Sequence, residues 1–117
     1  MSEFIQEFKS VDDVIKEYEA PADALKSAKV YLAWYGYGDY CGDSLVIFEK
    51  DGKLFEVNGG HCSCNGLEGQ WTPEETSWEA LGKRNLGGYC EGSDEAQAAL
   101  TALVAKKLKA AKPKVRK

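Results

Sequence analysis

The sequence predicts an α+β fold in which an antiparallel β-meander of three to four strands packs against helices. Three observations carry this. Val30 to Tyr35 alternates with the period of a strand, and Ser44 to Lys50 is a short run rich in Leu, Val, Ile and Phe. Asp51-Gly52 then leads into a second alternating segment, Lys53 to Val57, and an Asp-Gly pair between such runs is a strong hairpin signal. Toward the C-terminus, Ala96, Ala99, Leu100, Leu103, Val104 and Leu108 recur at helical spacing behind Ser93, a residue suited to cap a helix.

Taken in order, Ser2 to Glu19 reads as helical, in one bent helix or two short ones. Phe4, Ile5 and Phe8 have helical spacing. Ser10 resembles an N-cap, with Asp12 and Asp13 in the first turn where the helix dipole favours acids. Val11, Val14, Ile15 and Tyr18 form the apolar stripe. Pro21 interrupts it, and Ala22 to Lys29 has room for a further helical turn or two. In the first strand, Val30, Leu32 and Trp34 fall on one side and Tyr31, Ala33 and Tyr35 on the other. Gly36 to Asp43 holds three glycines and two acids and reads as a loop. Ser44 to Lys50 and Lys53 to Val57 complete the meander. The expected core is Leu32, Trp34, Val46, Phe48, Phe55 and Val57, with helices from Pro73 and Asp94 over one face.

The most individual stretch is Glu56 to Glu75, EVNGGHCSCNGLEGQWTPEE. Asn58-Gly59-Gly60 and Asn65-Gly66 are turn signals around His61-Cys62-Ser63-Cys64. Thr72 and Glu75 are spaced as a capping box with Pro73 at the first helical position, so a helix is expected from Pro73 to about Arg84. Thr76-Ser77-Trp78-Glu79 offers a second start one turn later. Asn85 to Gly92 is glycine-rich, with Leu86, Tyr89 and Cys90 suited to a short edge strand. Lys112-Pro113 should end the last helix. The expected organisation is one domain over 1–111 and a disordered basic tail over 112–117.

The run GGHCSCNGLEGQWTPEE, preceded by YGYGDY and the DGKLFEVN hairpin, resembles a group of small proteins encoded by tailed bacteriophages. The resemblance covers roughly Tyr31 to Leu81. It implies a bacterial cytoplasm as the working compartment and an accessory role in infection, and it carries no activity over.

Composition narrows the function classes. Of 117 residues, 44% are hydrophobic, which excludes a fully disordered chain. No apolar run approaches the ~20 residues of a membrane span. MSEFIQEFKS has acids where an export signal needs bases, so reduced, unpaired cysteines are expected. The net charge of −4 conceals an asymmetry: seven bases and no acids follow from Lys106 onward, and the other 105 residues carry −11. So acidic a body disfavours nucleic acid as the main partner and suits a basic protein surface.

Several residues are candidates for chemistry. His61, Cys62, Cys64 and Cys90, with Cys41 as an alternative fourth, have the ligand types of a zinc site. Their spacing fits poorly, since residues two apart on a strand lie about 6–7 Å apart and thiolates on one zinc come within about 4 Å. The default expectation is metal-free thiols and no cofactor. His61 and Cys62 are adjacent, which on an extended chain puts them on opposite faces and disfavours that nucleophile–base pair; His61 and Cys64 could meet across a turn, with no evident orienting acid or oxyanion hole. Capping and the helix dipole account for Glu74 and Glu75, and no glycine run matches a phosphate-binding loop. Tyr35, Tyr37, Asp39, Tyr40 and Asp43 place aromatic rings beside acids, a mix suited to a protein interface. The reading is therefore a non-enzymatic accessory protein that binds and blocks or redirects a bacterial host protein. The alternatives are a small zinc- or nucleic-acid-binding module and, after it, a Cys/His enzyme.

Overall fold

The structure is a computed structural model. It describes residues 3–6, 8–21, 23–37, 41–62, 71–83 and 93–111, with the backbone alone at 3, 5, 6, 37, 41–43, 60–62, 93 and 109–111. One five-stranded sheet runs through it in the order β1-β2-β3-β4-β5, formed by Glu3–Gln6, Lys29–Tyr37, Cys41–Lys50, Lys53–Cys62 and Glu74–Glu75. The strands β2 to β5 are antiparallel neighbours, as the meander requires. Among the described residues three helices accompany them: α1 (Val11–Tyr18), α2 (Trp78–Leu81) and α3 (Ser93–Ala111). Among the described residues no helix is long and apolar enough to cross a membrane.

The turn chemistry behaves as expected. Asp51 and Gly52 both take positive φ, 55° and 79°, which is the primed geometry whose twist matches that of the flanking strands. Ser10 caps α1, its Oγ accepting the N–H of Asp13, and Glu19 closes the helix in the left-handed region at φ 52°.

The N-terminus differs from its helical reading. Glu3–Gln6 is a strand paired in parallel with β2, Phe4 opposite Ala33 and Ile5 opposite Trp34. Phe4 and Ile5 suit a strand as well as a helix. The deciding factor is long-range: β2 has a free edge whose N–H and C=O groups need partners. A parallel pair needs a long crossover, and α1 with the turns after it supplies one. Within that crossover residues 23–27 form successive turns, such as Lys26 N–H to Asp23 C=O, in place of the expected helical turns.

The helix expected from Pro73 is also corrected. Residues 71–73 are irregular and Glu74–Glu75 pairs with Glu56 and Phe55 of β4. The Thr76 N–H extends that edge by donating to Leu54 C=O at 2.9 Å. The Trp71 ring stacks on Phe48 and meets Tyr18 edge-on, which ties the segment to the sheet. The helix starts at Trp78 instead, capped by Ser77, whose Oγ accepts the Ala80 N–H at 3.1 Å.

Both faces of the sheet are covered. On one, Leu32, Trp34, Leu45 and Ile47 pack against Leu81 of α2 and Ala96, Leu100 and Val104 of α3. On the other, Val30, Ala33, Tyr35, Val46, Phe48 and Val57 pack against Phe8 and against Val14 and Tyr18 of α1. The expected core thus divides between faces: Leu32 and Trp34 lie opposite to Val46, Phe48, Phe55 and Val57. A register shift between Val30 and Leu32 explains part of this, because the extra residue puts Tyr31 and Leu32 on the same face and reverses the alternation beyond it.

Candidate functional site

The two stretches singled out by sequence meet at one end of the sheet. The strands β2 and β3 extend further than the expected loop allowed: residues 36, 37 and 41–43 are strand, and 38–40 lie outside the described residues. Across the strands Tyr37 opposes Gly42 and Gly42 opposes His61, while Gly36 opposes Asp43 and Asp43 opposes Gly60. Cys41 stands directly opposite Cys62. By strand alternation the positions of Tyr37 and His61 share the α1 face, and those of Asp43, Cys41 and Cys62 share the α3 face.

Each proposed residue can now be placed. Tyr35 is only 2% exposed, with its ring 5.4 Å from that of Phe8, so it belongs to the core and is withdrawn from the contact set. Tyr37 and Asp43 occupy the last paired rows of the sheet, on opposite faces. Asp39 and Tyr40 lie outside the described residues, as do Cys64 and Cys90. The register puts His61 opposite Gly42 and Cys62 opposite Cys41, in successive rows of β3 and β4. Among the described residues no group of three His, Cys, Asp or Glu is placed to hold a metal ion.

Behind this end α1 is tied to the sheet by a buried hydrogen bond. The buried Tyr18 hydroxyl donates to Ser44 Oγ at 2.8 Å, and Ser44 is the cross-strand neighbour of Tyr35. Burial pushes the Tyr18 hydroxyl up to about 12, with the Ser44 bond offsetting part of the shift.

A second site was not legible in the sequence. Lys29, Tyr31 and Leu32 of β2 and Ala99, Ala102, Leu103, Lys106 and Lys107 of α3 line a cleft of about 330 Å³. Lys107 Nζ lies 4.5 Å from the Tyr31 ring centre and Lys29 Nζ 5.0 Å, both within cation–π range. Tyr31 O–H donates to Glu49 at 2.7 Å and Trp78 meets the same ring edge-on. Burial first, and then the Glu49 hydrogen bond and charge, push the Tyr31 hydroxyl up to about 12. The bulge creates this arrangement by turning Tyr31 toward α3 beside Leu32. The only sequence signal was the pair of lysines in the last turns of the α3 stripe; nothing local links them to Lys29.

Comparison of the chain with protein-family models, with curated proteins and with solved structures finds no match.

Proposed function

We propose that the protein acts by binding another protein, and that the binding end is the one where β2, β3 and β4 bring residues 36–43 and 59–62 together. The register carrying those two stretches to one place is the observation behind this reading. Helices cover both sheet faces, which leaves the strand ends and the turns between them as natural recognition elements. The charge of −11 before Lys106 adds long-range attraction toward a basic surface. The resemblance to phage proteins supplies the setting: a host protein in the bacterial cytoplasm, blocked or redirected during infection. Because Tyr37 and Asp43 lie on opposite faces, the partner grips the end of the sheet from both sides, with Asp39 and Tyr40 between them in sequence.

The test is a paired capture from bacterial lysate. The parent chain is one bait, and a chain carrying Asp39→Asn, Tyr40→Ala and Asp43→Asn is the other. The expected result is a host protein with a basic surface that the parent retains at low salt and the variant loses. Identical captures by the two folded baits would contradict the proposal.

A further inference from the structure

At the far end of β2 from Tyr37, the cleft between β2 and α3 has the features of a ligand site in its own right. The two ends are about 26 Å apart at about 3.3 Å per strand residue. Lys29 and Lys106 are exposed and Lys107 is half-buried, and all three line the cleft. Among the described residues that line it, none is acidic. Glu49 of β3 sits opposite Lys29 and accepts the Tyr31 hydroxyl, and Glu3 of β1 is the register partner of Leu32. Two ammonium groups share the Tyr31 ring, at 5.0 and 4.5 Å from its centre, which brings positive charge to a small cavity. The walls are of another kind: Leu32, Ala99, Ala102 and Leu103 are apolar, and the two alanines leave the space that longer side chains would fill. A concave apolar surface with a few convergent polar groups is the general form of a small-molecule site, and the volume falls at the small end of the ~300–1,000 Å³ range.

We infer that this cleft binds a small amphipathic anion, with a phosphate or carboxylate head held by Lys29, Lys106 and Lys107 and a compact aromatic or short aliphatic body against Leu32, Leu103 and the alanines. The head neutralises the clustered ammonium groups, and the body displaces water from apolar walls. Tyr31 is the anchor of the site. Its bond to Glu49 and its contact with Trp78 fix the ring against which Lys29 and Lys107 are arrayed. This site is independent of the protein-binding end.

The experiment titrates the full chain with phenyl phosphate, inorganic phosphate and phenol, followed by backbone amide shifts in two-dimensional NMR. Phenyl phosphate should give saturable shifts confined to residues 29–32 and 99–107 at millimolar concentrations. Inorganic phosphate and phenol should each bind at least about tenfold more weakly, since each lacks half of the recognition. Hexanoate in place of phenyl phosphate tells a carboxylate head from a phosphate one, and saturable binding of either supports the site. Lys29→Ala and Lys106→Ala, at exposed positions, should fold normally and each weaken binding about tenfold. Three results would each overturn the inference: no saturable shift with phenyl phosphate or hexanoate, equal affinity for inorganic phosphate, or unchanged affinity in the folded double variant.

Discussion

Tyr18 and Ser44 join the crossover helix α1 to the centre of the sheet through a buried hydrogen bond of 2.8 Å, formed where both residues are almost wholly removed from water. The Tyr18 ring also packs in the core with Phe8 and Trp71. The bond matters because each partner, left without the other, becomes a desolvated polar group.

That asymmetry makes a double-mutant cycle informative. Tyr18→Phe or Ser44→Ala alone should each cost about 1–3 kcal/mol by urea unfolding. The double variant should cost clearly less than their sum, because no orphaned partner remains. Strictly additive losses would show that the two hydroxyls do not depend on one another.

The same burial gives stability an alkaline limit. Tyr18 and Tyr31 both ionise near 12 in the folded chain, against an ordinary value of 10.0. Between those values an unfolded tyrosine has released a proton that the folded one retains. Unfolding therefore releases protons, and raising the pH favours it. The contribution is fully present below pH 10 and lost progressively toward 12, with a slope of up to about 1.4 kcal/mol per pH unit from Tyr18. Urea midpoints should fall steeply across that window, and less steeply in Tyr18→Phe. An equal slope in the two proteins would remove Tyr18 as the cause.

On the opposite face Leu100 is the centre of the α3 contact, packed with Trp34, Leu45 and Leu81. Leu100→Ala should cost about 2–5 kcal/mol by creating a cavity. Thr101→Ala, one position on and exposed, should cost far less. Chemical unfolding of the two variants checks the facing of the helix, and comparable losses would refute it.

Gly52 is needed for its backbone and not for space. Its φ is +79° and nothing lies within 4 Å of a Cβ built there. Gly52→Ala should therefore cost about 1–2 kcal/mol from left-handed strain alone, read as a lowered unfolding midpoint with native spectra retained. A midpoint equal to the parent's would argue against the primed turn.

Legibility in the sequence followed the range of the interactions. The Ser10 cap, the Asp51-Gly52 turn and the Ala96–Leu108 stripe are local signals, and the elements they announce are present. The strands β1 and β5 are drawn in by unpaired edges of β2 and β4, partners that no local pattern around Phe4 or Glu74 names. At Trp71-Thr72-Pro73 a well-formed capping signal yields to Trp71 packing on Phe48 and to hydrogen bonding along β4. The extra residue at Tyr31 is likewise invisible to a strict two-residue period, and beyond it Leu32 and Trp34 fall on the face opposite the rest of the expected core. The candidate sites divide in the same way. Tyr35 reads as an interface residue because tyrosines and acids follow it, whereas its buried ring packs beside Phe8. Lys29 and Lys107 share one ring from opposite ends of the chain, which only the folded sheet brings about.

The central claim is that the end of the sheet formed by β2, β3 and β4 binds a partner protein. The most direct measurement is the dissociation constant for the captured host protein with the parent, Tyr37→Ala, Tyr40→Ala, and the double Asp39→Asn, Asp43→Asn variant, each shown to be folded. Lys106→Ala, at the far end, serves as the control. The account predicts that at least one tyrosine variant loses about 2 kcal/mol, near thirtyfold in affinity. It predicts that the double aspartate variant associates more slowly with a weaker salt dependence, and that the control binds as the parent does. Parent-like affinity in all three hairpin variants would contradict it.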